Sequence, residues 1–270
     1  SDTILAEKKM KKGDEIELKI TSLAFGGLGL ARHNNQVVFV RGAIPGEEVL
    51  AVISKRKKTY LEALSLEILS ESENYIEPQC RHFKYCGGCV HQQLQYKFQL
   101  SEKQAQVEDI FSRLGGYKDI KINSFIGCDS IWHYRNKMEF TFSSNVWYEN
   151  SNSGHIPVAL GLHIPKRYDK ILDISECLIQ DPVCNDILDL VKDVVYEMNL
   201  DAWDIRKHTG FLRNLVIRKG FNTGEIMLNF VTSEYKDDAL VLMVQLCRER
   251  FPEITSIVNN ITRRHSGSTQ

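Results

Sequence analysis

A run of ten residues, Cys80-Arg-His-Phe-Lys-Tyr-Cys86-Gly-Gly-Cys89, restricts what this chain can fold into more than any other stretch. Three of its seven cysteines fall there, with the spacing C-x5-C-x2-C. Gly87 and Gly88 let the backbone turn tightly enough to aim two sulfurs at one centre, because glycine accepts positive φ without steric cost. Soft ligands at this spacing read as a zinc or iron–sulfur site. Thiols used merely as small hydrophobes have no reason to cluster so closely.

Composition narrows the setting. The chain has 270 residues, enough for two domains and at least one well-buried core. With 34 basic and 35 acidic side chains the net charge is −1, so a nucleic-acid partner must be read from where charge is placed. No N-terminal apolar stretch resembles a signal peptide, and the longest apolar run, near 239–247, is too short to span a bilayer. An odd cysteine count without a secretion signal points to a reducing cytosol, where such clusters bind metal. A cytoplasmic monomer without membrane contact is expected.

Residues 1–12 are polar and include Lys8-Lys9-Met10-Lys11-Lys12, which reads as a frayed tail. Ile16, Leu18 and Ile20 then alternate with charged residues, the mark of a half-buried strand. Strand-like runs follow at 36–40, 47–54 and 60–69, separated by Gly26-Gly27-Leu28-Gly29, His33-Asn34-Asn35 and Pro45-Gly46. About five short strands in some seventy residues suggest a small OB-like barrel. The glycine-rich stretch at 26–29 leads into a strand, so a bulge or hairpin corner is expected there and not a phosphate-cradling loop.

A linker at 71–79 precedes the cysteines. Leu94, Phe98, Val107, Ile110, Phe111 and Leu114 then mark one face of a helix over 92–114, with a break at polar residues 101–104 and its apolar stripe in core packing. From about Asn123 the pattern is α+β. Strands are predicted at 137–142, 159–164 and 171–174, then a helix capped by Asp181 with Pro182 at its first position. A hairpin around Asn222-Thr223-Gly224, a helix at 237–250 and a strand at 254–260 complete the order. The fold class expected is an N-terminal all-β OB-like barrel (1–70), a cysteine loop with a helical segment (71–122) and a central α+β domain (123–270).

Three cysteines leave a tetrahedral zinc or a cubane one ligand short. Cys128, Cys177, Cys184, Cys247, His82 and His91 are the candidates. Cys184 and Cys247 sit among apolar neighbours on helices, where a buried thiol is the default. Cys177 follows a short strand just before the helix cap, and a strand end can be held rigidly against a distant loop. That favours Cys177, although periodicity leaves the others open.

Taken together, these residues resemble a known family, the uracil-C5 RNA methyltransferases that act on ribosomal and transfer RNA. The likeness runs along essentially the whole chain. The barrel is similar to their TRAM domain, an RNA-binding barrel. The cysteine run followed by Gln92, Tyr96, Gln99 and Lys103 is similar to their cluster-binding signature, and Tyr134-Arg135-Asn136-Lys137 is shared as well. In Asp173-Ile-x-x-Cys177 the cysteine matches the fourth ligand. The resemblance therefore implies a 4Fe–4S cluster on Cys80, Cys86, Cys89 and Cys177, with iron–sulfur preferred to zinc.

The family also carries a doubly wound domain that binds S-adenosylmethionine and holds a cysteine nucleophile, a carboxylate base and a Phe-Gln element. Uracil C5 becomes nucleophilic only after a thiolate adds at C6, and a base must later remove the C5 proton. Cys128, Cys184 and Cys247 lack a local activating partner for that role. The expectation from the resemblance is thus an N-terminal and central portion, with a C-terminal Rossmann-like methyltransferase domain absent from this chain. S-adenosylmethionine would be bound only by the full-length enzyme, and the chain alone would be inactive.

Its expected partner is RNA, ribosomal in preference to transfer RNA. Lys55-Arg56-Lys57-Lys58 joins two predicted barrel strands, where several lysines can exchange counterions with phosphates. Trp132, Tyr134, Arg135 and Lys137 mix rings with cations, which suits unpaired RNA, and Arg213 is placed with them. The alternative functions are a stand-alone RNA-binding protein with a structural metal and a radical methylthiotransferase. The latter uses C-x3-C-x2-C and leaves one iron open, unlike the spacing here.

Overall fold

The computed structural model describes residues 10–150 and 154–265. The chain divides into two compact units and not three segments: Ser1–Pro78 with Val90–Gly127, and Gln79–Cys89 with Cys128–Gln270. The helical segment therefore belongs with the barrel, and the cysteine run belongs with the α+β unit. Lys8 and Lys9 lie outside the described residues, whereas Lys11 and Lys12 are exposed.

In the first unit, β1 (Glu15–Lys19), β2 (Ser22–Leu23), β3 (Gly29–His33), β4 (Gln36–Arg41), β5 (Glu48–Arg56) and β6 (Tyr60–Ser70) form one sheet ordered β1-β5-β6-β4-β3-β2. Period-two burial puts Ile16, Leu18, Ala31, Val38, Val40, Val49, Ile53 and Leu61 into a single core. Burying each aliphatic side chain of that size stabilises by about 1.5–3 kcal/mol. The predicted linker is tied down, since Tyr75 bridges Leu94 in antiparallel register.

Helix α1 (Tyr96–Arg113) runs unbroken through residues 101–104. No residue of α1 is fully buried, but Leu94 and Phe98 of the predicted stripe pack with Leu23 and Ile44, so the expectation of core packing fails only from Val107 onward. The helix also docks through polar side chains on the edge strand β2. The Leu23 N–H donates to Glu102 Oε2 at 2.7 Å, and Gln106 Nε2 donates to the Leu23 carbonyl at 3.0 Å. Both open backbone groups of an edge residue are thus satisfied, which blunts the edge against strand pairing. Val107, Ile110 and Phe125 stay exposed on the wall of a cleft.

The second unit is built on seven strands: β7 (Lys137–Ser143), β8 (Val146–Trp147), β9 (Ala159–Ile164), β10 (Arg167–Asp173), β11 (Leu212–Lys219), β12 (Ile226–Thr232) and β13 (Ile254–Ile261). Their order is β13-β12-β11-β7-β9-β10-β8. Helices α2 (Pro182–Glu197) and α3 (Asp237–Arg250) cover a core containing Met138, Phe140, Phe142, Leu215, Ile217 and Leu228. The α+β expectation holds for this unit. No helix among the described residues is long and apolar enough to cross a membrane.

Asp181 starts α2 as expected: its carboxylate accepts the Val183 N–H at 3.1 Å and pairs with Lys219 at 2.6 Å. Burial works to raise this carboxyl, but the bonds from Lys219 and Val183 outweigh it and hold it below its ordinary range. A lowered folded value means the stabilisation is present above the ordinary value of 3.8 and is lost as pH falls through the folded one. Asp181→Ala should cost about 1–2 kcal/mol at neutral pH, and the gap from the wild type should close in acid. Urea unfolding at pH 7 and at about pH 3 checks this.

Candidate cluster site and RNA-facing surfaces

The cysteine run is a series of turns. The Phe83 N–H donates to the Cys80 carbonyl at 3.0 Å and the Cys86 N–H to the His82 carbonyl at 2.8 Å. Neither Gly87 nor Gly88 has positive φ, so the reason for these glycines differs from the one expected. Gly87 lies against β9, donating its N–H to the His163 carbonyl at 3.1 Å, and a Cβ there would stand 2.7 Å from that same oxygen. The position demands the missing side chain, not a left-handed backbone. The Gly88 N–H donates to Cys86 Sγ at 3.3 Å, a contact that favours a thiolate.

Cys177 lies just after β10 and is only 8% exposed. Three braces hold it. The Cys177 N–H donates to Asn185 Oδ1 at 2.9 Å, and Gln180 Nε2 donates to the same oxygen at 2.7 Å. His82, within the cysteine run, accepts the Ser175 N–H on Nε2 at 3.2 Å, which ties the loop to the segment that carries Cys177. Burial and the Arg81 charge lower the His82 pKa, which keeps the ring neutral and able to accept. Neither His82 nor Asn185 was singled out as a brace from sequence; the only signal is their spacing from the cysteines.

The third brace is the Trp-His-Tyr-Arg motif. The His133 N–H donates to the Leu178 carbonyl at 2.9 Å and the Arg135 N–H to the Ile179 carbonyl at 2.8 Å. The segment that contains Tyr-Arg-Asn-Lys is therefore hydrogen-bonded to Leu178 and Ile179, the two residues that follow Cys177.

Cys80, Cys86, Cys89 and Cys177 share one neighbourhood. Burial pushes the Cys86 thiol up to about 11, the Gly88 N–H opposes it, and charge on Cys89, Cys177 or Cys80 would push it higher. Burial likewise raises Cys177, against the N–H groups of Ile179 and Gln180, with Cys89 and Cys80 adding to the rise. Four thiols so placed repel one another as thiolates and gain from a shared cation. Yet among the described residues no group of three or more His, Cys, Asp or Glu side chains is arranged to hold a metal ion. A single zinc needs sulfurs within about 3.8 Å of each other, given Zn–S bonds near 2.3 Å. Ligands of a cubane stand around four irons and are farther apart, so the two groups ask for different sulfur spacings.

The surface residues divide. Lys55, Arg56, Lys57 and Lys58 are all exposed at the β5–β6 turn, with Lys55 in an ion pair to Glu62 at 3.5 Å. Tyr134, Arg135 and Lys137 are exposed, while Trp132 is partly buried against the core of its unit. Arg213 departs from the expected role: it is 3% exposed, stacks its guanidinium 4.4 Å over Trp203 and donates to the carbonyls of Thr262 and Arg264. Its place is inside the unit.

Residues 9–64 match the TRAM domain family, so a TRAM domain is present. An uncharacterized RNA methyltransferase of Bacteroides thetaiotaomicron is 36% identical over 249 residues, which cover 88% of this chain and 55% of that protein. A second, from Staphylococcus epidermidis, is 33% identical over 257 residues, 95% of this chain and 54% of that one. Among solved structures, the Pyrococcus abyssi tRNA (uracil-54, C5)-methyltransferase in complex with S-adenosyl-L-homocysteine superposes with a TM-score of 0.63 at 23% identity. It covers 93% of this chain and 52% of that one, and it shows the shared fold. The resemblance to RNA methyltransferases is thus upheld, and the chain spans about half the length of the curated relatives it matches.

One expectation is corrected here. The fold class read from the sequence set a C-terminal methyltransferase domain as absent and the chain alone as inactive. The likeness to a solved methyltransferase extends over 93% of this chain, and where a sequence stops carries no conclusion about further domains.

Proposed function

We propose that this chain supplies RNA recognition and a structural 4Fe–4S cluster to an S-adenosylmethionine-dependent RNA (uracil-C5-)-methyltransferase, acting in the cytoplasm on 23S ribosomal RNA. The observation that carries this reading is the ladder between residues 133–135 and 178–179, which sets the aromatic and basic motif against the segment that carries Cys177. Cys80, Cys86, Cys89 and Cys177 would hold the cluster. A cubane with four cysteine ligands has no open iron, so its chemistry here is to cross-link loop and strand. Tyr134, Arg135 and Lys137 beside it, and Lys55, Arg56, Lys57 and Lys58 on the TRAM unit, would meet RNA.

That the solved neighbour is a tRNA (uracil-54, C5)-methyltransferase supports the choice of uracil C5, and the TRAM match supports RNA as partner. Iron and acid-labile sulfide assays on protein made without oxygen should find about four of each per chain. Stoichiometric zinc without sulfide would overturn the cluster.

Binding to structured RNA should weaken linearly on a log–log salt plot, because each neutralised phosphate releases counterions. Lys57→Ala with Lys58→Ala should flatten that slope by roughly 0.7–0.9 for each lysine that meets a phosphate. An unchanged slope removes this turn from the interface.

A further inference from the structure

The first unit has a half-enclosed cleft of about 510 Å³ that is lined by none of the proposed cluster ligands or RNA contacts. One wall is the turn carrying Phe25, Gly26 and Gly27; the other is the outer face of α1 with Lys103, Val107 and Ile110. We propose that this cleft receives one unstacked nucleobase of single-stranded RNA, with Phe25 as its stacking platform and Lys103 on the neighbouring phosphate. The inference rests on the reading of the chain as RNA-recognising and gives that reading a second site.

Phe25 is 84% exposed, and the turn is built to hold it out. The Ala24 N–H donates to the Leu28 carbonyl at 2.8 Å and the Gly27 N–H to the Ala24 carbonyl at 3.0 Å, with φ of +89° at Gly26 and +88° at Gly27. Gly27 also presses on the floor of the cleft, since a Cβ would stand 2.5 Å from Val90 Cγ1 and 2.9 Å from His91 Nε2. A large apolar ring presented to water at the end of so constrained a turn stabilises nothing in the unit, whereas base-on-ring stacking is how single strands are bound.

The polar groups also suit a base. Gln99 and Gln106 turn their amide N–H groups to backbone carbonyls, Gln99 to His91 at 2.9 Å and Gln106 to Leu23 at 3.0 Å. Their side-chain oxygens are left as acceptors for exocyclic amines or ring N–H groups. The His91 Nδ1 is buried and lacks a partner among the described residues. Lys103 is exposed at the rim and makes no ion pair among the described residues, a placement open to a phosphate. An apolar slot with a ring at its mouth, acceptors inside and one cation at its edge matches a nucleotide better than an acidic or purely aliphatic ligand.

The test is binding of a short single-stranded RNA carrying 2-aminopurine, read by fluorescence quenching and by titration, for the wild type, Phe25→Ala, Phe25→Leu and Lys103→Gln. Wild type should quench the probe. Phe25→Ala and Phe25→Leu should each lose quenching and bind on the order of tenfold more weakly. Lys103→Gln should keep quenching and reduce the salt slope by about 0.7. RNA binding with quenching and affinity unchanged in both Phe25 variants overturns the pocket and leaves RNA recognition standing. Absence of RNA binding by the wild type overturns RNA recognition itself. Phe25 is exposed, so neither variant threatens the fold.

Discussion

Cys177→Ala protein prepared without oxygen is expected to carry background iron and sulfide and to be colourless, where the wild type is brown. Cys177 is the one proposed ligand from outside the cysteine run, and its backbone is braced by Asn185 while the loop opposite is tied to Ser175 by His82. Removing its sulfur leaves three ligands and one exposed iron, a cluster open to oxidation and loss. Losing one small buried thiol otherwise costs on the order of 1 kcal/mol, so the metal-free variant should stay folded. Cys184→Ala is the control. Cys184 is 3% exposed on α2, seven residues further along, and packs within the apolar core of its unit. That variant should retain iron, sulfide and colour. Equal loss from both, or retention by Cys177→Ala, would remove Cys177 from the ligand set.

Gly161→Ala should be the most damaging single substitution in the second unit, costing about 3 kcal/mol or more. A Cβ at Gly161 would fall inside the van der Waals radius of the Leu172 carbonyl oxygen, where β9 pairs with β10. Neither side can yield easily, because Gly161 and Leu172 are both backbone members of the β9–β10 pairing. The consequence reaches the cluster site, since β9 also presents the His163 carbonyl to Gly87 and β10 leads into Cys177. Chemical denaturation should show the lost stability, and the iron content should fall with it. A fully stable, iron-replete Gly161→Ala protein would show that the β9–β10 pairing does not position the site.

What could be read in advance depended on how local its cause is. Alternation marked β1, β4, β5 and β6 to within about two residues, because one face of each is buried. β2 and β8 have two residues each, too short for any period to register. Asp181 and Pro182 marked the start of α2 through a cap whose geometry is local. The predicted stripe divides, with Leu94 and Phe98 on the core and Val107, Ile110, Phe111 and Leu114 exposed, because apolar spacing shows that a face is amphipathic and not what covers it. Arg213 misled for a related reason. Its neighbours in sequence suggested an RNA contact, but the irregular register between Leu212 and Asn214 and the distant Trp203 decide where it goes. The cysteine spacing showed a site, yet the neutral His82 and the ladder from 133–135 that brace it depend on segments far apart in sequence.

The central claim is that these residues serve methylation of uracil C5 in RNA. It is tested most directly by mapping 5-methyluridine in ribosomal and transfer RNA from cells that lack the gene. The expected result is loss of 5-methyluridine at a position in 23S ribosomal RNA, restored by the intact gene and not by one encoding Cys177→Ala. An unchanged set of 5-methyluridines in both RNA classes would contradict the account.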